Sequence, residues 1–596
     1  MDLDHAERDR VESERDRRRD AECERAALEK KERESADAVE VDKILTHIEA
    51  LDLPHPSFPL LREYVRNSHR PVHAARYLNE RFLAGDTQTI VSDWIFIVEA
   101  VTRHGSPPPT LDAKTQDDIR SRDGNRCCIS GNTGTRRDPL TVLPILPLPT
   151  AWATAEIRVR NMLESFFSSE DLETWLFSAE YPELCGPHES HWLVQKSAAE
   201  TFAKGYVKLE KLGESGLEFC VCPVEIGPNQ LLAPASFPLL GDHSRLGVAK
   251  VDPVIIDTQA RLATSIRYVE IAQRIAPQLV PEQYRPQTPA VKPNKPLIVR
   301  VFRGGLFPIF GILRPTINIV AQAFIETWRF LPSGVRAFGY DMLRKLGELL
   351  YGVPDPSRSV RRLPFGLFLK YRGDAPMHTN EFNALRRVYY ETSIPVPKPI
   401  GLVAKDYNSY LLTTRLPGVP LNLCQEVFSD AEYDAITAQL QDYLTQVRNL
   451  PKTVNPEMAI CNTLGDSCRD FRIQGSSPVG PFPDEAAFSK LMRFSDDPAR
   501  RGHKIVFTHA DLNARNILVD LVPLPDGTTG WRITGIVDWE TAGYYPEYWD
   551  YTKALFEGFR WEPRFLKMVH QVFAAFGDYS KELDVERRAW GSGDAV

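Results

Sequence analysis

The sequence IVFTHADLNARNILVD, at residues 505–520, is the most informative stretch of this 596-residue chain. An apolar segment that predicts a strand leads into a short loop carrying Asp511, and five residues later Asn516 begins a second apolar segment. Enzymes that transfer phosphoryl groups place a carboxylate against the acceptor and a neutral oxygen ligand on magnesium, and an HxDxxxxN loop supplies both. The pattern therefore predicts Asp511 as a catalytic residue and Asn516 as a metal ligand.

A second acidic segment follows after a predicted hairpin. The sequence PDG at 525–527 indicates a turn, and the apolar segment 531–537 then leads to DWE at 538–540. A hairpin of this kind would return Asp538 to the side of Asn516. Magnesium prefers hard oxygen ligands, so the sequence predicts Asp538 as the second metal ligand.

An upstream lysine and glutamate predict a phosphate-binding pair. The segment LPFGLFLK at 363–370 predicts a strand that ends on Lys370, whose ammonium could reach nucleotide phosphates. Glu381 opens a predicted helix with apolar residues along one face, and an ion pair between the two side chains would fix the lysine. The alternative is an exposed lysine at a strand end and a glutamate that the helix dipole favours in the first turn.

Further segments add a resemblance to a known family. NEFNAL at 380–385, TSIPVPK at 392–398 and GPF at 480–482 lie between the segments above. In this order they resemble the aminoglycoside-phosphotransferase family, over roughly Leu363 to Gly577. The resemblance implies a bilobal protein-kinase-like fold, ATP and Mg²⁺ as cofactors, and a small-molecule acceptor.

The resemblance also assigns supporting residues. The segment SYLLTTRL at 409–416 is similar to the family's hinge, which implies that the backbone of Thr414 and Leu416 binds adenine. His509 and Asp550 stand at positions that imply structural support of the catalytic loop. Together with Lys370 and Glu381, the two hinge residues are the predicted cofactor-binding set.

Two further features bear on the nucleotide site and on the acceptor site. The chain before Lys370 contains no clear glycine-rich loop, only LYGVP at 350–354 and a stretch rich in proline, arginine and serine. Aromatic and acidic residues around 539–549 could bind a cationic amine through ring faces and carboxylates, or they could serve packing alone.

A second resemblance lies in the N-terminal half. The segments RDGNRCCISG at 122–131, HWLV at 191–194 and KGYV at 204–207 are similar to the HNH-endonuclease domain of many fungal proteins. An HNH site needs a histidine that activates water and further side chains that hold a divalent metal. Residues 140–147 contain no histidine, Ala199 stands at the last histidine position, and His191 stands at the asparagine position. This domain is therefore predicted to be degenerate and inactive as a nuclease.

Composition limits the classes of protein and partner. Hydrophobic residues make up 43% and charged residues 26%, which is typical of a soluble globular protein, and the length predicts two or three folded units. A formal net charge of −8 offers no strong case for nucleic-acid binding. Nine cysteines and the absence of an apolar leader predict a cytoplasmic protein. The apolar segment 305–325 is interrupted by proline and arginine, which makes membrane contact unlikely and favours a buried helix pair.

These patterns predict an α+β multidomain chain, with the kinase-like domain preceded by an α/β HNH-like domain and an N-terminal charged helix. The predicted segments are a charged helical or disordered tail at 1–40, a small helical region at 41–105, the degenerate HNH-like domain at 111–280, a proline-rich linker at 281–296, an apolar helical segment at 297–351, the kinase-like domain at 352–580 and a tail at 581–596. The charged helix is also a candidate surface for self-association or for a protein partner.

The function that these features favour is an ATP- and Mg²⁺-dependent phosphotransferase acting on a hydroxyl or amine of a small molecule. One alternative is a catalytically inactive scaffold or binding protein built on a kinase fold and a nuclease fold. A minor alternative is a nucleic-acid-acting HNH protein.

Overall fold

A computed structural model provides the structure of the chain. It describes residues 35–87, 89–108, 110–136, 138–184, 186–212, 218–227, 238, 240–285, 328, 330–351, 360–371, 375–405, 408–473, 477–524, 527–556 and 558–591. The chain divides into two compact units, residues 1–296 and 297–596. Both helices and sheets are present, as the α+β prediction requires.

Unit 1 is mainly helical. Its helices are α1 at 35–49, α2 Ser57–Asn67, α3 Pro71–Leu83, α4 Thr89–Ala100, α5 Ala113–Arg122, α6 Thr150–Ala153, α7 Ile157–Phe166, α8 Ser169–Glu180, α9 Pro187–Ser190, α10 Lys196–Ala203 and α11 Pro253–Ile275. Helix α4 is apolar on nearly every face and is correspondingly buried. Its Trp94 packs against Tyr64 and Phe166, with ring centroids 4.9 and 4.7 Å apart, and its indole N–H donates to Ser265. These contacts make α4 the centre of the unit 1 core.

Two antiparallel strand pairs complete unit 1. They are β1 Leu140–Pro144 with β2 His191–Gln195, and β3 Val207–Lys211 with β4 Phe219–Pro223. Helix α10 follows β2 directly, so that β1, β2 and α10 form a small strand–strand–helix arrangement.

Arg122 and Asp123, from the RDG sequence at the end of α5, connect that helix to β2. Arg122 and Asp123 are almost fully buried and form an ion pair at 2.7 Å. Arg122 donates to the carbonyl of His191 at 2.9 Å, and Asp123 accepts from the backbone N–H of Leu193 at 2.8 Å. A buried ion pair needs such additional hydrogen bonds, and here the bonds lead to β2. The two residues therefore act as a structural clamp.

The first residues of the predicted proline-rich linker pack against unit 1. Tyr284 is buried, and its ring stacks on His104 and Phe96 with centroid distances of 4.4 and 5.9 Å. The packed part of unit 1 thus extends to about residue 285, past the predicted start of the linker at 281.

Unit 2 contains a four-stranded sheet followed by a larger part of mixed helices and strands. Its helices are α12 Ser333–Tyr351, α13 Ala375–Glu391, α14 Asp430–Arg448, α15 Glu485–Ser489, α16 Trp549–Phe556, α17 Pro563–Ala574 and α18 Ser580–Gly591. Its strands are β5 Val360–Leu363, β6 Leu367–Tyr371, β7 Pro399–Lys405, β8 Asn408–Thr414, β9 Val419–Pro420, β10 Cys461–Asn462, β11 Ile505–Thr508, β12 Ile517–Pro523, β13 Thr529–Ile536 and β14 Gly543–Pro546.

The four-stranded sheet has the order β5-β6-β8-β7 and is antiparallel throughout. Apolar side chains of β6 and β8, Leu369 and Leu412, are buried with Tyr340 of α12 in one core cluster. Lys370 lies between buried residues of β6, and alternation along a strand places its side chain on the opposite face from Leu369.

The larger part contains two three-stranded sheets, β10-β14-β11 and β13-β12-β9. The predicted hairpin is present as β12 and β13, whose register runs from the pair Ile517 and Ile536 to the pair Pro523 and Thr529. Strand β11 ends at Thr508 and β12 begins at Ile517, and the two strands belong to different sheets. The loop 509–516, which carries Asp511 and Asn516, is therefore held between two sheets.

Helix α18 falls within the segment predicted as a C-terminal tail, and it is anchored by buried charges. Glu586 is fully buried, with its carboxylate 2.8 Å from the guanidinium of Arg472 and 3.2 Å from that of Arg500. The packed part of unit 2 therefore reaches at least residue 591. The sequence signal was weak because the helix is rich in charged residues, some of which are buried in ion pairs.

Several predicted segments lie outside the described residues: the charged run at 1–34, the linker from 286 to 296, the apolar segment 305–325, residues 352–359 before β5, and the turn residues 525 and 526. Of the helices that the structure does describe, none combines the length and the apolar character that a bilayer crossing requires.

A histidine between two carboxylates makes the stability of unit 2 depend on pH. The ring nitrogens of His503 lie 2.7 Å from Glu485 and 3.2 Å from Glu582, which joins α15 to α18. Burial alone would lower the pKa of His503, but the hydrogen bonds to both carboxylates outweigh burial and raise the pKa to about 9. The protonated form therefore stabilises the fold fully below about pH 6.5, and this contribution is lost as the pH rises through about 9.

We expect His503→Gln to destabilise unit 2 by about 1–3 kcal/mol at pH 6 and by much less at pH 10. The measurement is the thermal unfolding midpoint of the unit 2 transition at both pH values. His47→Gln replaces an exposed histidine of unit 1 and should leave that transition unchanged. An equal loss of stability at pH 6 and pH 10 would contradict the assignment of the charge to His503.

Candidate active site

The catalytic-loop sequence brings Asp511 and Asn516 into direct contact. The amide nitrogen of Asn516 donates to Asp511 twice, to the carboxylate at 3.0 Å and to the backbone carbonyl at 2.9 Å. Burial raises the pKa of Asp511 to about 6, against the opposing effect of the Lys553 ammonium. Because the amide nitrogen is used in this way, the amide oxygen of Asn516 is the atom left to face a cation.

His509 fixes the loop from within. Its Nδ1 accepts from the backbone N–H of Asp511 at 3.2 Å, so its Nε2 carries the proton and donates to the carbonyl of Val537 at 3.0 Å. Burial lowers the pKa of His509, which agrees with a neutral ring. The imidazole therefore joins the Asp511 loop to the residue preceding Asp538.

Asp550 holds the same loop from the other side. Its carboxylate is buried and accepts from the backbone N–H groups of Ala510, at 2.7 Å, and His509, at 3.3 Å. Ala510 has a φ of 62°, which is uncommon for a residue with a side chain. The two hydrogen bonds thus stabilise a turn that the local sequence alone disfavours.

Lys370 is the centre of an acidic cluster formed by Glu381, Asp538 and Glu540. Its ammonium donates to Glu381 at 2.8 Å, to Glu540 at 3.4 Å and, through a very short bond, to Asp538. The predicted ion pair between Lys370 and Glu381 is therefore present, and the lysine also contacts the predicted metal ligand Asp538. Asn516 lies next to this cluster, since its carbonyl accepts from the N–H of Val537 at 2.9 Å.

Burial and charge act against each other in this acidic cluster. Burial alone would raise the pKa of Asp538, but the adjacent Lys370 outweighs it and lowers that pKa. Burial raises the pKa of Glu381 to about 7 and also raises that of Glu540, despite the same lysine. The pKa of Lys370 is raised well above its ordinary range, because the three carboxylates outweigh the effect of burial.

The helix carrying Glu381 differs from the prediction in one respect. Helix α13 begins at Ala375, six residues before Glu381, so the glutamate lies in the second turn and is 3% exposed. The reading of Glu381 as a first-turn residue that the helix dipole favours is therefore wrong. The buried contact with Lys370 accounts for the glutamate instead.

Asn380 is a supporting residue that sequence reasoning missed. Its amide nitrogen donates to the carbonyls of Glu540, at 2.9 Å, and Ala542, at 2.8 Å. Its amide oxygen accepts from the backbone and hydroxyl of Thr463, at 2.9 and 2.6 Å. All the hydrogen-bonding capacity of this buried side chain is directed at partners 83 to 162 residues away in the chain, which no local pattern reveals.

Lys553 is a second missed residue. Its ammonium lies 3.8 Å from the carboxylate of Asp511 and 3.7 Å from that of Asp470, and its side chain is 9% exposed. A cation at this position favours the ionised form of Asp511. The only sequence signal was its position three residues after Asp550 on a helix.

The predicted adenine-binding residues lie where β8 ends. Thr414 is the last residue of β8, and its N–H already donates to the carbonyl of Lys398 at 3.0 Å. Of the Thr414 backbone groups, only the carbonyl is therefore a candidate to hydrogen-bond adenine. Leu416 follows two residues later, and its side chain lies close to Gly535 of β13.

The aromatic residues that follow Asp538 are packing residues. Trp539, Tyr544, Tyr545 and Trp549 are each at most 1% exposed, and Tyr545 and Trp549 stack with centroids 5.5 Å apart. Such rings cannot present a face to an acceptor. The packing alternative is therefore the correct one for these four residues.

The oxygen atoms at this site suit a hard divalent cation. Carboxylate oxygens of Glu381, Asp538 and Glu540 lie within 4.8 Å of one another, and the backbone of Asn516 is joined to Val537, the residue before Asp538. Carboxylate and amide oxygens are the ligands that magnesium takes in phosphoryl-transfer sites. The donor set therefore fits the predicted metal, with Asn516 and Asp538 as the residues that would hold it.

The histidine that the nuclease resemblance places at its asparagine position belongs to no cluster of potential metal ligands in the described part of unit 1. His191 is buried, and its Nδ1 lies 3.0 Å from Ser190 and 3.1 Å from the carbonyl of Pro187. Across the described residues, groups of three or more potential His, Cys or acidic ligands occur at two places, and neither includes His191. The prediction of an HNH-like domain stays a prediction, because no comparison matches it.

The bracing role of Asp550 can be tested through stability. We expect Asp550→Ala to destabilise unit 2 by about 2–5 kcal/mol, because two buried N–H groups lose their acceptor. Asp584→Ala removes a carboxylate that is 72% exposed in the same unit and should change stability by less than about 0.5 kcal/mol. Chemical denaturation of both variants measures the difference. Equal stability of Asp550→Ala and the unsubstituted protein would contradict the contact.

Solved structures of phosphotransferases resemble this chain at low identity. One is an aminoglycoside phosphotransferase of Streptomyces rimosus in complex with ADP and streptomycin, with 16% identity over 38% of this chain and 88% of that one, and a TM-score of 0.25. Another is a macrolide 2′-phosphotransferase of Brachybacterium faecium, with 16% identity over 41% and 88%, and a TM-score of 0.25. A third is a thermostable mutant aminoglycoside phosphotransferase in a ternary complex with ADP and hygromycin B, with 13% identity over 41% and 85%, and a TM-score of 0.28. Nothing about nucleotide or substrate follows from likenesses at these values.

The sequence comparisons are more specific about one region. No curated protein is significantly similar to this chain. Residues 363–583 match the model of a family described as the phosphotransferase enzyme family. This range contains Lys370, Glu381, Asp511, Asn516 and Asp538. The C-terminal part of the chain, residues 363–583, is therefore similar to the phosphotransferase enzyme family.

Proposed function

We propose that this protein is an ATP- and Mg²⁺-dependent phosphotransferase that acts on a hydroxyl or amine of a small molecule. The observation that supports it most is the contact of one buried ammonium, that of Lys370, with both Glu381 and Asp538 beside the Asp511–Asn516 pair. These side chains come from a strand, a helix and two loops, and together they offer the groups that phosphoryl transfer requires.

In this proposal each residue has one role. Lys370, held by Glu381, binds the nucleotide phosphates, and Asn516 and Asp538 hold the metal. Magnesium, when bound, supplies charge neutralisation at the β- and γ-phosphates. Asp511 orients the acceptor and takes its proton, and its contact with Asn516 keeps the carboxylate at a fixed distance from the metal ligands.

The hinge residues complete the nucleotide site. The carbonyl of Thr414 and the N–H of Leu416 would meet the adenine edge, since the N–H of Thr414 is already bonded within the sheet. His509 and Asp550 contribute indirectly, because they hold the backbone on both sides of Asp511. A reaction that consumes ATP agrees with the proposed cytoplasmic location.

Nucleotide binding is the first test of this proposal. We expect isothermal titration to show ATP binding that requires magnesium and that is lost in Asp538→Ala, because a metal ligand is removed. Asp496→Ala removes a carboxylate that is 99% exposed and should bind ATP like the unsubstituted protein. If the unsubstituted protein binds no ATP with magnesium present, the inactive scaffold becomes the better reading.

Turnover is the second test. A panel of small molecules bearing hydroxyl and amine groups, incubated with ATP and magnesium, should contain an acceptor that becomes phosphorylated. Asp511→Asn should lower that rate by about 10²- to 10⁴-fold, because the group that accepts the proton is lost. Asp496→Asn is the matched control and should keep the full rate. Unchanged turnover in Asp511→Asn would exclude Asp511 as the catalytic residue.

A further inference from the structure

The β3–β4 strand pair of unit 1 has one buried face and one partly exposed face. Leu209 of β3 and Val221 of β4 are buried, and α11 packs against β3. Successive side chains of a strand point to opposite faces, so the neighbours of these two residues lie on the partly exposed face. Those neighbours are Lys208 and Glu210 of β3 and Cys220 and Cys222 of β4.

Three side chains of this face bring potential metal ligands together. The strand register places Glu210 directly opposite Cys220. The Sγ of Cys222 lies 3.4 Å from the Sγ of Cys220 and 3.3 Å from Oε2 of Glu210. All three ligand atoms lie within 4.8 Å of one another. Because the three residues belong to regular strands, their backbone holds the ligands in place more firmly than a loop would.

These distances are close to those around a tetrahedral zinc ion. Zinc–sulfur bonds of about 2.3 Å and zinc–oxygen bonds of about 2.1 Å place two sulfurs roughly 3.8 Å apart, and a sulfur and an oxygen roughly 3.6 Å apart. The corresponding distances of 3.4 and 3.3 Å are slightly shorter. Small rotations of the side chains would therefore open the cluster around one ion.

The charge of the ligand set matches a divalent cation. The thiol of Cys222 donates to Glu210, and burial, Cys220 and Glu210 raise the pKa of Cys222 to about 12. A metal ion displaces thiol protons when it is coordinated, so the bound form has two thiolates and one carboxylate. The ammonium of Lys208 lies 2.5 Å from Oε1 of Glu210 and leaves Oε2 for the ion. Three negative charges and one positive charge sum to −2, which a divalent cation neutralises.

A bridging ion suits the two cysteines better than a disulfide does. Residues two apart on a strand have Cα atoms about 6.7 Å apart, at the far end of the range that a disulfide spans. Thiolates select zinc, copper(I) and similar soft metals, and a carboxylate as third ligand favours zinc over copper(I).

We propose that Cys220, Cys222 and Glu210 form a zinc site on the β3–β4 strand pair. The two thiolates and Oε2 of Glu210 are the protein ligands, and a water molecule completes the tetrahedron on the exposed side. Coordination breaks two S–H bonds, forms two zinc–sulfur bonds and releases two protons to solvent. The site is independent of the proposed phosphotransferase function and of the acidic cluster of unit 2, which contains no cysteine.

Cobalt(II) is the probe for this site, because thiolate ligands give it an intense charge-transfer absorption that carboxylates alone do not give. The full chain is treated with a phosphine reductant, freed of metal with a chelator and titrated with Co²⁺, and Zn²⁺ is then added. We expect the charge-transfer band to rise to a plateau and to disappear when zinc displaces cobalt. A titration without this band, or a band that zinc does not displace, would overturn the proposal.

Substitutions locate the ligands. Cys220→Ser and Cys222→Ser should each lower the charge-transfer band and weaken cobalt binding by at least about tenfold, and Glu210→Gln should weaken binding to a similar extent. Glu225→Gln removes an exposed carboxylate of the same unit and should leave the titration unchanged. Thermal unfolding establishes that each variant remains folded. An unchanged band in a folded serine variant, or unchanged affinity in Glu210→Gln, would contradict the three-ligand site.

Discussion

The contact between the Lys370 ammonium and three carboxylates is the interaction on which unit 2 depends. It joins a strand of the sheet, helix α13 and the loop after β13, from positions 11 to 170 residues apart in the chain. Removing one lysine and three acids from water is costly, and only close, well-aligned contacts offset that cost. The cluster is therefore a geometric constraint that fixes how the sheet meets the larger part of this unit.

The same contact explains why a further cation suits the site. If all groups were ionised, one lysine would face three carboxylates, which leaves two negative charges in a partly buried space. The pKa values of Glu381 and Glu540 are raised because burial and the neighbouring carboxylates both disfavour the ionised form. A divalent cation bound near Asp538 would relieve the excess, and Lys370 would then be free to share its hydrogen bonds with a phosphate.

Whether the sequence predicts a contact of this site depends on how far apart the two partners lie along the chain. Asp511, Asn516 and Asp538 are connected by a loop and one hairpin, so strand and turn signals were sufficient to place them together. Asn380, Glu540 and Lys553 act on this centre through partners that are 42 to 170 residues away, with no periodicity to indicate them. Glu381 resembles a first-turn acid in the sequence, but helix α13 begins at Ala375, so a local acidic signal is a poor guide to where this helix starts.

In unit 1, the residues that make a sequence pattern recognisable have a structural role. Arg122 and Asp123 are the most recognisable part of the nuclease-like pattern. Both are buried, and their hydrogen bonds hold β2. His191, which stands at the asparagine position of that resemblance, is buried against Ser190 and the carbonyl of Pro187. Losing either partner of the buried ion pair of Arg122 and Asp123 would leave an uncompensated charge in the interior. The clamp therefore gives the most recognisable residues of this pattern a structural role that does not depend on any nuclease chemistry.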